Sequence, residues 1–84
     1  MTKTEAIRRL KRAKQLALYN VPNPHCIWNA CRMEDLVNYY NHDVVFKEFI
    51  EKWGGSFVYL THVGCTKENV AAVFDASIAL LEGK

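Results

Sequence analysis

Residues 2–20 read TKTEAIRRLKRAKQLALYN, and this stretch decides how the chain folds. At 100° per residue, Ala6, Leu10, Ala13 and Ala17 share one stripe, flanked by Ile7 and Leu18. Arg8, Arg12, Gln15 and Tyr19 fall on the opposite stripe, with Arg9 and Lys11 beside them. Thr2 and Glu5 have capping-box spacing, in which a hydroxyl and a carboxylate satisfy backbone donors that a helix start leaves open. The spacing predicts a helix over residues 3–19 with one apolar and one basic face.

Outward from this helix, Asn20-Val21-Pro22-Asn23-Pro24 is a turn, because proline lacks a donor and drives its predecessor towards extended backbone. Asn23 is a suitable N-cap and Pro24 a suitable first residue for a second helix. Ile27, Trp28 and Cys31 form one apolar group; Met33, Leu36, Val37 and Tyr40 form a second at helical spacing. One kinked helix or two short ones satisfy that pattern. Val45, Phe46, Phe49, Ile50 and Trp53 mark a further amphipathic helix, ended by Gly54-Gly55.

The far end repeats the logic of the start. Thr66 is a cap, Glu68 lies in the first turn, and Val70, Val73, Phe74, Ser77, Ile78 and Leu81 trace a core stripe. A helix is expected over about 67–82, kept slim by Ala71, Ala72, Ala76 and Ala79 so that a neighbour can approach closely. Between the glycines, residues 56–63 (SFVYLTHV) are rich in strand formers. A lone strand leaves its ladder groups unpaired, so this segment must pair within the chain, pair with another chain, or run as an extended connection. The expected fold is therefore mostly α: a single domain over residues 1–84 of four to five helices, with one extended segment at 56–63.

Composition sets the outer bounds. Half of the 84 residues are hydrophobic and 24% are charged, enough apolar surface to offset chain entropy and exclude a disordered chain. A chain this short buries only about 60–65% of its unfolded surface, which leaves little volume for both a core and an enclosed pocket. No apolar run approaches the roughly 20 residues that span a bilayer, and the basic start does not lead into a signal-peptide core. Cys26, Cys31 and Cys65 cannot all pair within one chain, so reduced thiols in a cytoplasmic protein are expected.

The net charge of +2 conceals a division along the chain. Residues 1–14 hold Lys3, Arg8, Arg9, Lys11, Arg12 and Lys14 against Glu5 alone, a net of +5. Residues 15–84 hold five cations against eight acids, a net of −3. Arg8, Arg9, Lys11, Arg12 and Tyr19 are the candidate residues for binding a partner or a phosphate: guanidinium groups make bidentate contacts and tyrosine can stack on a base. A solvated helix face is the simpler use of the same charges, and an acidic protein surface is a third. Tyr39, Tyr40 and Tyr59 are candidate interface residues, since adjacent helical tyrosines cannot both point into one core.

Chemistry is sparse. Cys26, Cys31, His62 and Cys65 are zinc-compatible by ligand type, but their spacing is poor for a zinc site, and no metal or cofactor is expected. His62 and Cys65 are the wrong kind of evidence for a nucleophile pair, because nearness in sequence does not supply geometry. Gly54-Gly55 lacks the lysine and hydroxyl of a phosphate loop. Catalysis is not expected, and no motif carries a resemblance to a family. The expected function is that of a small non-enzymatic protein, of the kind encoded by phage or mobile elements, that binds and modulates or inhibits a macromolecular partner, most naturally a protein. A nucleic-acid or nucleotide-binding regulator using the basic helix is the alternative. A homodimer is favoured slightly, because an unpaired strand gains by association.

Overall fold

The computed structural model describes residues 2–36, residue 47 and residues 57–83. Four helices lie within the described residues: α1 (Lys3–Tyr19), α2 (Cys26–Met33), α3 (Phe57–Val63) and α4 (Lys67–Leu81). Apart from Lys47, which is helical, the helix expected around Val45 to Trp53, its glycine stop, and Val37, Tyr39 and Tyr40 all lie outside them.

The two outer helices follow the sequence closely. The Thr2 hydroxyl accepts from the Glu5 amide at 3.2 Å, and the Thr66 hydroxyl accepts from the Asn69 amide at 3.2 Å. Each cap satisfies a first-turn donor that the helix itself cannot reach. Ala6, Ala13 and Ala17 are fully buried and Leu10 nearly so, as the stripe requires. The α4 stripe from Val70 to Leu81 is buried in full, including Ser77. Because α1 presents mostly alanine, α2 and α4 both pack against it at close range, and Phe74, Leu10, Leu36, Leu60 and Val70 fill the common core. No buried side-chain nitrogen or oxygen is left without a partner among the described residues.

Three expectations are corrected. Residues 57–63 are helical, against the extended segment expected at 56–63. A helix closes its own hydrogen bonds, the Gly64 amide continuing the series to the Leu60 carbonyl at 2.9 Å. A solitary strand would have left those groups open, so tertiary context outweighs the strand propensity of Val58, Tyr59 and Thr61. The homodimer expectation loses the unpaired strand that motivated it. Secondly, α2 begins at Cys26 rather than Pro24, because Asn23 commits both of its oxygens to a turn. Its side chain accepts from the His25 amide at 3.0 Å and its carbonyl from the Cys26 amide at 3.0 Å. Thirdly, the inward face of α2 is Cys26, Ile27, Ala30 and Cys31; Trp28 is 38% exposed and Met33 lies in solvent. Apolar spacing groups both with core residues, but a helix of eight residues is too short for spacing to fix its buried face.

Candidate interaction surface

The cations of the first fourteen residues divide into two groups once the chain is folded. Glu5 Oε1 accepts from Arg8 at 2.9 Å and from Arg9 at 3.2 Å, so one carboxylate oxygen serves two guanidinium groups one turn away. Those two arginines hold the Glu5 carboxyl below its ordinary value, Arg9 contributing most. Lys14 reaches across to Asp75 on α4 at 2.8 Å. Arg12 pairs with Glu34 at 3.5 Å, and Arg9 donates to the Glu34 carbonyl at 3.0 Å.

Arg9 and Arg12 thus converge on one residue at the C-terminal end of α2. Carbonyls there have no helical donors and carry the negative end of the helix dipole, which a guanidinium group complements. Arg9, only 30% exposed at its side chain, is a docking residue for α2 as well as a member of the basic face. The sequence offers no signal for this, since the two groups are 25 residues apart. Asn69 is a second residue that the sequence did not single out. Its side-chain amide donates to the carbonyls of Val63 at 3.2 Å and Gly64 at 2.8 Å, closing the end of α3 against the start of α4.

What faces outward from α1 is Arg8, Lys11, Arg12 and Tyr19, all exposed, with Tyr19 at 88%. Among the described residues no carboxylate forms an ion pair with Lys3 or Lys11. Of the acids, Glu5, Glu34 and Asp75 pair among these six cations and Glu82 borders Lys11 and Lys14, leaving a surplus of about +2 rather than the +5 counted along the chain. Tyr59 is not part of this face: it is half-buried against the core on α3.

Two surface depressions accompany these residues. One, of about 460 Å³, runs between α1 and α4 and is bordered by Lys11, Lys14, Asp75, Ile78 and Glu82. The other, of about 380 Å³, lies beside Asn29, Arg32 and Met33 on α2. Both are open to solvent, and among the described residues neither is bordered by a cysteine or histidine.

The thiols are elsewhere. Burial pushes the Cys31 thiol up to about 12, and burial followed by the neighbouring Cys65 thiol pushes Cys26 up to about 11. Cys65 donates to the Asn23 carbonyl at 3.4 Å. Cys26, Cys31, His62 and Cys65 do not converge on a common centre: among the described residues no three of His, Cys, Asp and Glu are placed to hold a metal ion. No helix among them is long and apolar enough to cross a membrane. No family model, curated protein or solved structure matches the chain.

Proposed function

We propose that this chain is a small non-catalytic interaction protein that binds another protein and modulates or inhibits it through the outer face of α1. The observation that carries this reading is Tyr19, 88% exposed and in helical line with Arg8 and Arg12. A tyrosine standing in water has the composition of an interface anchor, rigid and amphipathic, and Arg12 and Arg8 lie about 10 and about 16 Å back along the same helix face. The remaining positive surplus suits steering towards an acidic protein surface. Arg8 and Arg12 already have carboxylate partners, which an acidic protein surface and a nucleic acid alike would have to displace.

The test is capture from a nuclease-treated host extract with the full chain as bait, beside Tyr19→Ala and Arg8→Glu variants whose helical circular dichroism matches the parent. A protein partner retained by the parent and lost by both variants supports the reading. Unchanged capture by the variants removes the α1 face from the contact.

Nucleic-acid binding is the second reading, favoured by the same exposed Lys11, Arg8 and Tyr19. It makes a separate quantitative demand. A face neutralising about three phosphates should lose roughly 40-fold in affinity for duplex DNA between about 50 and 200 mM salt.

A further inference from the structure

The geometry points to Cys26 and Cys65 as a thiol pair that peroxide converts reversibly into an intramolecular disulfide, tying the α3–α4 turn to the start of α2. The two cysteines are 39 positions apart in sequence, yet one backbone atom joins their surroundings. The Asn23 carbonyl accepts from the Cys26 amide at 3.0 Å and from the Cys65 thiol at 3.4 Å. After burial, the Cys65 thiol is also the neighbour that acts most on the Cys26 thiol.

Their unequal exposure assigns the roles. Cys65 sits between Gly64 and Thr66 in the turn and is half-exposed, whereas Cys26 is fully buried. Peroxide therefore meets Cys65 first. The Cys65 sulfur attacks the peroxide, an S–O bond forms, the O–O bond breaks, and the departing hydroxide leaves as water with the thiol proton. The Cys26 sulfur then attacks the resulting sulfenic acid: the S–S bond forms, the S–O bond breaks, and the hydroxyl leaves as water with the Cys26 proton. In sum two thiols and one peroxide give one disulfide and two waters, with sulfur oxidised and peroxide reduced. The raised pKa of Cys26 slows its attack below that of an ordinary thiol, and the attack quickens as pH rises.

Cys31 is excluded as the partner of Cys26 by the helix that carries both. Five residues along α2 they are separated by a rise of about 7.5 Å, beyond the roughly 4.4–6.8 Å between α-carbons that a disulfide tolerates. Cys65 approaches from another element and has no such restriction.

The experiment uses the full reduced chain treated with hydrogen peroxide. Intact mass should fall by the two hydrogens lost, about 2 Da. Trypsin digestion without reductant should join peptide 15–32 to peptide 53–67, and a dithiol should separate them. Cys31→Ser should retain the link and Cys65→Ser should lose it, which identifies Cys26 without substituting that fully buried residue. The oxidised chain should melt on the order of 10 °C above the reduced one, because the bridge closes a long loop in the unfolded state. Sulfinic acid on Cys65 without a link, a covalent dimer, loss of the link in Cys31→Ser, or no reaction overturns the proposal.

Discussion

The Arg9 guanidinium donates to the Glu34 carbonyl at 3.0 Å and so closes the end of α2 onto α1. Arg12, one turn along the same helix, meets the Glu34 carboxylate at 3.5 Å with its own side chain 67% exposed. The two arginines look alike in the sequence and differ in what they hold.

Arg9→Ala should therefore cost about 1–2 kcal/mol, a charge-assisted bond to a backbone group discounted for partial exposure. Arg12→Ala should cost about 1 kcal/mol, because the guanidinium is 67% exposed but the Glu34 carboxylate it leaves behind is only 12% exposed. Urea unfolding midpoints for the two variants measure both costs, and an Arg9→Ala variant as stable as the parent would remove the docking role assigned to Arg9.

Leu60→Ala and Val63→Ala test which side of α3 packs on the core. Leu60 is 1% exposed and Val63 is 47% exposed. Truncating Leu60 should cost about 2–5 kcal/mol, whereas Val63→Ala should cost well under half as much. Thermal melts report the contrast. Amide exchange adds an independent view, since the Gly64 amide bonded to the Leu60 carbonyl should be slowed only if the helix forms.

Glu5 gives the fold an acid dependence of known sign. Its folded pKa lies below the ordinary 4.5 because Arg9 and Arg8 favour the carboxylate. A depressed pKa contributes stability that is present above about 4.5 and is lost as pH falls through the folded value. Glu5→Gln should thus destabilise the chain at pH near 7, and the difference from the parent should shrink towards zero as Glu5 becomes protonated. Paired melts across the acid range measure it.

The buried thiols impose the opposite dependence at high pH. Below the ordinary value of 9.0 the thiols are protonated in both folded and unfolded chains, so they contribute no slope. Above it the unfolded thiols ionise while Cys26 and Cys31 keep their protons to about 11 and about 12. Stability should then fall from about pH 9 upwards, and less steeply in Cys31→Ala once its own cavity cost is subtracted at neutral pH. Native-state alkylation with iodoacetamide should modify half-exposed Cys65 first, with Cys26 and Cys31 reacting only on unfolding.

Residues 2–20 by themselves determined the length, cap and buried face of α1, and residues 66–81 did the same for α4. Both helices are long enough for several turns of apolar spacing to agree, and both begin at a threonine whose hydroxyl meets a first-turn amide. Such signals are local and need no partner to be read. The tertiary structure decided what local signals cannot carry. It made residues 57–63 a helix against their strand propensity, because a lone strand has no ladder partner. It turned Arg9 from a surface charge into a docking residue for α2, leaving Tyr19, Arg8 and Lys11 as the outward part of that face. It also brought Cys65 and Cys26 to the same Asn23 carbonyl, an arrangement that depends on where the α3–α4 turn lands and on nothing in the spacing of the cysteines.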